Sequence, residues 1–440
     1  MSEATTSGNM STALAGVVER ARRDPQGKML SLCHHIDMEA LKRAFYRIRK
    51  GAAVGVDGVT VEEYEQDLEQ RLADLHGRLK AMEYRHQPIR RVHVPKDKGR
   101  TRPIGVSTTE DKVVQGALRE LLEAVYEQDF LDCSYGFRPG RSAHDAISAL
   151  NKSIRYGSAN FIIEADIESF FDSVGRPMLK EKMEERIADK SLMRLVGKCL
   201  HVGVLDGAEF HTPEDGTAQG SILSPLLGNI YLHHAIDLWY EREVKPRMNG
   251  KSCMVRYADD LVFGFERRED AERVMAVLGN RLGRFGLKLA VAKTRLLDFR
   301  RPPDGQQGGK GPSTFDFLGF THYWKRSRYG TWHPAWKTRV KSLHKAITAL
   351  QAWCRDNRHL PIPEQHQALT RRIQGHFNYF GVNGNARSLS VILVKVEHAW
   401  IHWLRRRSQR SRMTWERFHR MLQVMPLPKV KVYRNLWAAP

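Results

Sequence analysis

The sequence predicts an α+β body followed by a basic, all-helical C-terminal region, with the border near residue 325. Three observations carry this. Short β-branched runs alternate with amphipathic stretches throughout the first three quarters of the chain. From residue 336 onward the apolar spacing is helical: Val340, Leu343, Ile347, Leu350 and Cys354 keep one face, as do Val396, Ala399, Trp400, Trp403 and Leu404. Charge separates at the same border. Residues 325–440 hold 23 Lys or Arg against four acids, whereas residues 1–324 hold 48 against 46. Seven of the nine tryptophans also lie in that last part. Basic charge interleaved with aromatics points to a polyanion partner rather than a merely solvated face.

The elements follow in order. Residues 1–28 are polar and small, without a basic start and apolar core, so a mobile tail with one short helix is expected and a secretory signal is not. Residues 30–50 and 60–82 read as helices separated by "GAAVGVDGVT", where Gly51, Gly55 and Gly58 break the period. "PIRRVHVPKDKGRTRPIGV", 88–106, reads as a β-hairpin with a basic tip. Residues 110–128 are helical. "RPGRSAHDAISAL" places Asp145 three residues after Ser142, a capping box that opens a helix.

"NFIIEAD", 160–166, reads as a buried strand. Helices are expected over 176–200 and 224–243. "CMVRYADDLVFGF", 253–265, reads as two short strands joined at its acidic pair. An amphipathic helix is expected over 268–286, a hairpin in "LKLAVAKTRLLDF", a Pro/Gly-rich loop over 300–314 and one strand in "FDFLGFTHYW". No run of about 18 apolar residues predicts a membrane span. The five cysteines (Cys33, Cys133, Cys199, Cys253, Cys354) are scattered, odd in number and form no C-x-x-C pair, so neither a zinc ribbon nor a disulfide framework is indicated, and a reducing cytoplasm fits.

Asp259 and Asp260 sit in an otherwise apolar stretch, where a lone carboxylate is costly to bury. At a tight strand-turn-strand tip both can lie at the exposed end of a buried hairpin. Asp166 ends another strand, and pairing of the two segments would bring it to face Asp259. Clustered carboxylates repel unless a cation lies among them. Magnesium takes such oxygen ligands together with substrate phosphates, and two such ions can clamp an in-line phosphoryl displacement. Read singly, the acidic pair also suits a surface turn, and Asp166 a strand end.

"RYADDLVF" resembles the Y-x-D-D box of reverse transcriptases. "GVDGVT", "VPKDKGRTRPIGVST", "YGFRPGRSAHDAI", "EADIESFFDSV", "GTAQGSILSPLLGNIYLHHAID", "LKLAVAKTRLL" and "FLGF" resemble, in order, blocks of bacterial group II intron-encoded reverse transcriptase/maturases. "QGHFNYFGVNGNARSL" and "RRRSQRSRMTWERFHRMLQVMPLPK" resemble their maturase, or thumb, region. The resemblance implies a right-hand polymerase. Residues 1–28 would be a flexible N-terminus and 29–159 the N-terminal extension and fingers. Residues 160–324 would be a palm with an antiparallel sheet and a returning fingers segment, and 325–440 a helical thumb/maturase domain.

It further implies that Asp166, Asp259 and Asp260 are catalytic and, with the Ile167 carbonyl, hold two Mg²⁺ ions. Phe171 would be the aromatic gate against a 2′-hydroxyl; the alternative is a plain core ring beside Phe170. Gln219 would support the incoming nucleotide and template, with Gly216 and Gly220 permitting close backbone approach; the alternative is an ordinary loop. Arg102 and Lys96 would reach the triphosphate, Lys98 and Arg100 competing with Lys96. Lys293 would approach the same place, or is simply an exposed lysine. Arg371, Arg372, Arg405, Arg406, Arg407, Arg410 and Arg412 would grip RNA by its phosphates, while Trp400 and Trp403 pack inward.

The implied partners are an RNA template, a DNA or RNA primer, deoxynucleoside triphosphates and a host intron RNA, in the bacterial cytoplasm. No Cys- or His-rich nuclease module follows the basic region, so a second-strand DNA cut is not expected. Two rival readings stand beside this one: an RNA-binding splicing cofactor with an idle polymerase site, and a domesticated, intron-free enzyme of repair or defence.

Overall fold

The computed structural model describes residues 12–95, 101–157, 159–206, 209–211, 216, 220–303, 313–407 and 413–437. Helix α1 (Thr12–Arg23) lies in the stretch expected to be a tail and buries Leu14, Val17, Val18 and Ala21. Side-chain caps start the next helices, supplying acceptors for orphan N–H groups. Asp37 accepts from Ala40 N at 2.8 Å to open α2 (Met38–Tyr46). Thr60 and Glu63 form a capping box on α3 (Val61–Gln66), which leads into α4 (Leu68–Lys80). The basic segment forms the expected hairpin of β1 (Ile89–Pro95) and β2 (Thr101–Val106). Thr108 caps the long buried α5 (Thr109–Tyr126), and the Ser142–Asp145 box opens α6 (Ala143–Arg155) as its spacing predicts.

Strand β3 (Phe161–Asp166) precedes α7 (Arg176–Glu184) and α8 (Lys190–Leu200). The Asp189 carboxylate begins α8 by accepting from Ser191 N and Leu192 N, and also accepts from Leu32 N and Cys33 N, which pins the N-terminal segment to it. Strands β4 (Val204–Asp206) and β5 (Glu209–His211) extend the hairpin into a sheet of order β2-β1-β4-β5, with β1 and β4 parallel. Helix α9 (Ser224–Leu232) continues through wider i→i+5 turns at His233–Asp237 and Tyr240–Val244.

The central sheet has the order β6-β7-β3-β8 and is antiparallel throughout, with β6 (Ser252–Tyr257), β7 (Asp260–Phe265) and β8 (Arg295–Asp298). Helix α10 (Arg268–Gly283) packs against it. Its apolar residues (Ile163, Ala165, Leu261, Phe263) join the main core, and Ile162, Val255 and Val262 join a second core shared with α6.

Three local expectations are corrected. "LKLAVAKTRLLDF" is one edge segment rather than a hairpin. Leu289 bridges Ile167 and β8 pairs with β3, so both parts lie along the same strand, interrupted by a turn in which Lys293 N and Thr294 N donate to Ala290 O at 2.9 Å. "FDFLGFTHYW" is a tight hairpin, β9 (Phe315–Phe317) and β10 (Phe320–Arg326), because Leu318 and Gly319 both take positive φ. Leucine is a poor signal for that turn. Residues 336–338 belong to β11 (Trp332–Thr338), which completes a sheet of order β11-β10-β9, and helix begins only at Val340.

Helices α11 (Val340–Asp356), α12 (Ile362–Phe380), α13 (Ala386–Arg405) and α14 (Trp415–Val424) surround a third core of Leu350, Leu369, Ile373, Phe377, Ile392, Val396 and Trp400. Among the described residues no helix is long and apolar enough to cross a membrane.

Candidate active site

The β6–β7 hairpin turns on two residues, Ala258 and Asp259, between the paired Tyr257 and Asp260. Ala258 has φ +56°, a left-handed conformation that costs an ordinary residue about 1–2 kcal/mol. The register of β3 with β7 sets Asp166 directly opposite Asp260. Directly opposed residues in an antiparallel pair share a face, so these two carboxyls emerge together and Asp259 stands in the adjoining turn. The expected partner of Asp166 was Asp259; the β3–β7 ladder instead pairs it with Asp260, because Asp259 lies in the turn beyond the last ladder pair.

Strand alternation orients the next residue. Ala290 N donates to Asp166 O, and Glu168 N to Lys288 O, so those groups face the β8 edge. The backbone of Ile167 therefore faces the other way, toward the hairpin turn, while its side chain is buried. The turn that interrupts the β8 edge carries Lys293, whose Nζ pairs with the Asp166 carboxylate.

The electrostatics are those of crowded acids. Burial, then the charge of Asp166, raises the Asp259 carboxyl above its ordinary range, opposed by Arg102 and Lys293. Burial, then Asp259 and Asp166, pushes Asp260 up to about 6, opposed by Lys293 and Arg339. Asp260 lies at the mouth of the site, where water still reaches it. Among the described residues no three His, Cys, Asp or Glu side chains already converge as a metal cage. The donor set nevertheless suits a hard cation: carboxylate oxygens and a backbone carbonyl, repelling one another, with a lysine ammonium already paired to one of them.

The remaining expected residues fall as follows. Arg102 lies on β2 opposite Val94, and its charge acts on both Asp259 and Asp172. Lys96 and Gln219 lie outside the described residues. The glycines flanking Gln219 have clear geometric reasons. A Cβ on Gly216 (φ +88°) would meet Asp172 O at 2.9 Å and Phe171 O at 3.0 Å, and one on Gly220 (φ +106°) would meet Gly105 O at 2.5 Å. Gly216 thus lies beside the Phe171 turn and Gly220 beside β2. Phe171 is half-buried and packs against Phe170 at 5.1 Å and near Gly228 on α9.

The basic helices show why arginine and tryptophan are interleaved. The Arg372 guanidinium lies over Trp353 at 5.3 Å, Arg405 over Trp415 at 6.0 Å, and Arg406 and Arg358 each over Trp403 at 5.8 Å. Arg405 also donates to Met413 O at 2.9 Å, Arg407 to His359 O at 3.2 Å and Arg371 to Gln367 Oε1 at 2.9 Å. Trp400 is fully buried and donates to Gln365 Oε1 at 2.9 Å. Trp403, expected to pack inward, is only half-buried, and its ring carries the Arg358 and Arg406 guanidinium groups. Arg410 and Arg412 lie outside the described residues.

Residues 94–322, more than half of the chain, match the family described as reverse transcriptase (RNA-dependent DNA polymerase). The matched span contains the opposed Asp166 and Asp260 and, in the adjoining turn, Asp259. The chain belongs to the reverse transcriptase family. This reverse transcriptase is 33% identical over 317 residues to protein YkfC of Escherichia coli, covering 64% of this chain and 79% of that one. It is 35% identical over 191 residues to the group II intron-encoded protein LtrA of Lactococcus lactis, 43% of this chain and 32% of LtrA. A more distant relative, 24% identical over 176 residues, is the nuclear intron maturase 2, mitochondrial, of Arabidopsis thaliana, 31% of this chain and 24% of that protein. The matches thus span about a third of LtrA and a quarter of the maturase.

Residue reading passed over several groups around the site. Arg91, on β1, bonds Asp206 at 3.5 Å and acts with Arg102 on Asp172; the alternation in "RRVHV" placed it on the same strand as the hairpin's other basic residues. Arg256, immediately before the Y-A-D-D box, is fully buried. Its strand position was legible, but its partners come from distant segments.

Proposed function

We propose that this chain extends a primer 3′-hydroxyl with deoxynucleoside triphosphates on an RNA template, by a two-metal mechanism. The observation that carries the reading is the register that sets Asp166 opposite Asp260 with Asp259 in the adjoining turn. Two Mg²⁺ ions held by these three carboxylates and the Ile167 carbonyl would supply the charge that activates the primer hydroxyl and stabilises the leaving pyrophosphate.

The protein's own work is positioning and electrostatic preorganisation. Arg102 binds triphosphate oxygens through its guanidinium, with Lys96 as a second cation. Asp172, whose carboxyl burial raises and Arg91 and Arg102 lower, faces these arginines and holds their charge in check until the triphosphate arrives. Phe171 closes the sugar pocket against a 2′-hydroxyl, and Gln219 supports the template base. Lys293 neutralises Asp166 in the free enzyme and turns to the triphosphate in the complex.

In this reading residues 29–159 are the N-terminal extension and fingers, 160–324 the palm and 325–440 the thumb. Arg371, Arg372, Arg405, Arg406, Arg407, Arg410 and Arg412 hold the duplex by its phosphates, several of them stiffened on tryptophan rings. The likeness to intron-encoded proteins and to an intron maturase supports a second role, binding a host intron RNA and promoting its splicing. The likeness to the bacterial protein LtrA supports work in the bacterial cytoplasm.

The test is primer extension on an RNA template with Mg²⁺. Wild-type protein should synthesise DNA, and Asp259→Ala should lose at least about a thousandfold of that rate, roughly 4 kcal/mol of transition-state stabilisation. RNA affinity, supplied by the basic helices, should change less than about twofold. Wild-type inactivity with intact RNA binding would instead favour a splicing cofactor.

A further inference from the structure

The Arg256 side chain lies on β6 directly behind the acidic turn and is fully buried, as is Asp237. Its five N–H donors find five acceptors. Nε donates to Asp237 Oδ1 at 2.7 Å and Nη2 to Asp237 Oδ2 at 2.5 Å. The second Nη2 proton goes to Ser134 Oγ at 2.7 Å. Nη1 donates to Asn229 Oδ1 at 2.8 Å and to the Ala258 carbonyl at 3.2 Å. These acceptors come from four separate segments: the loop before α6, α9, the widened turn that follows it, and the hairpin turn. That inventory uses every donor a guanidinium has.

The turn is also held by Gly136. A Cβ there would stand 2.4 Å from Ala258 N and 3.0 Å from the Tyr257 carbonyl carbon, so only glycine lets this backbone lie against the turn. Asn229 fixes the glycine in place by donating to Gly136 O at 2.7 Å. Arg256 N and O additionally bond Cys133 O at 2.8 Å and Tyr135 N at 2.9 Å. The left-handed Ala258 is thus gripped through its carbonyl and backed at its nitrogen.

We propose that Arg256 is a positioning residue for metal binding: with Gly136 it clamps Ala258 so that the next residue, Asp259, is held beside Asp166 and Asp260 against their mutual repulsion. Asp237 already balances the guanidinium charge, so the clamp acts through its bond to the turn rather than through net charge at the acids. Without it, the turn can relax by moving Asp259 away from the other two carboxylates. Groups that orient metal ligands from behind commonly contribute ten- to a hundredfold to metal affinity.

This inference rests on the acidic cluster being the metal site of the proposed polymerase. The double variant Arg256→Met/Asp237→Leu removes both buried charges together, since removing one alone strands the other. Gly136→Ala presses on the same turn and leaves the ion pair intact, so it carries the test if the double variant does not fold. The readouts are Mn²⁺ affinity of the free protein by electron paramagnetic resonance, the Mg²⁺ concentration for half-maximal primer extension, RNA affinity and melting temperature in EDTA.

Both variants should weaken Mn²⁺ binding and raise the Mg²⁺ requirement about tenfold, with RNA affinity unchanged. Folded variants with wild-type Mn²⁺ affinity and Mg²⁺ requirement overturn the positioning role. Variants that lose melting temperature alone do the same, leaving Arg256 as a packing residue. A wild-type protein that neither binds Mn²⁺ nor synthesises DNA overturns the polymerase reading itself.

Discussion

Replacing Asp260 with Asn should make the metal-free protein more stable while abolishing DNA synthesis. Partial desolvation of its carboxyl within the site and the charges of Asp259 and Asp166 lift this group from its ordinary 3.8 to about 6, although the residue as a whole still meets water. Such a displacement corresponds to at most about 3 kcal/mol of unfavourable ionisation in the folded state. Asp260 is solvent-exposed, so screening reduces the realised value to about 1 kcal/mol. The sign follows from linkage. The unfolded chain releases this proton near 3.8 and the folded chain near 6. The ionisation penalty is therefore absent below 3.8, grows between 3.8 and 6, and is fully present above 6.

Thermal or urea unfolding in EDTA at pH 7.5 should place Asp260→Asn about 1 kcal/mol above wild type. Below pH 4 the two should converge. Saturating Mg²⁺ should close or reverse the gap at pH 7.5, because the wild-type carboxylates then gain a ligand that the amide weakens. A variant no more stable than wild type at pH 7.5, or a gap independent of pH, would refute the account of the site as mutually repelling carboxylates.

Three further outcomes are expected. Changing Arg405, Arg406 and Arg407 to Ala should weaken template binding and reduce the slope of log affinity against log salt by roughly 2, at about 0.7–0.9 per lost phosphate contact; filter binding across a salt series with an unchanged slope would exclude phosphate contacts there. Phe171→Ala should raise ribonucleotide incorporation relative to deoxynucleotide by about tenfold, roughly 1.4 kcal/mol of lost discrimination, read by competitive primer extension, and unchanged selectivity would reduce Phe171 to a core ring. Asp189→Ala should destabilise the protein by about 3–5 kcal/mol, since four backbone N–H groups lose a charged acceptor. Although burial opposes it, these bonds hold the Asp189 carboxyl below 3.8, so its contribution is present above that pH and fades as pH falls through the lower folded value, which a pH series of unfolding curves measures.

How much was legible depends on the range over which a signal acts. The Ser142–Asp145 box and the basic hairpin were readable because capping and hairpin pairing are local. The helical face through Leu350 and Cys354, and the burial of Trp400, followed from periodicity alone. The "FDFLGFTHYW" hairpin was not, because its turn places Leu318 at φ +48°, where glycine or asparagine would have announced it. The "LKLAVAKTRLLDF" segment was misread as a hairpin because its alternation is genuine but both halves pair with β3, a partner more than a hundred residues away. Register was likewise invisible: alternation says that Asp166 and the acidic pair can meet, but the β3–β7 ladder decides that Asp260 is the acid opposite it.

The buried clamp explains why a strongly apolar stretch can carry acids at all. Asp259 does not sit on a free turn; it follows a residue locked in a conformation that alanine disfavours. Such strain persists only where the surroundings over-determine it. Here the surroundings are a fully satisfied guanidinium on one side and a glycine backbone on the other. The same rigidity that stops the carboxylates from separating leaves their repulsion unrelieved until a cation enters, and Lys293 on Asp166 offers one charge to three acids. A lysine can move aside where a turn cannot. On the proposed reading the labour is divided: the sheet and clamp fix the anions, and Lys293 is the cation that substrate and metal would displace.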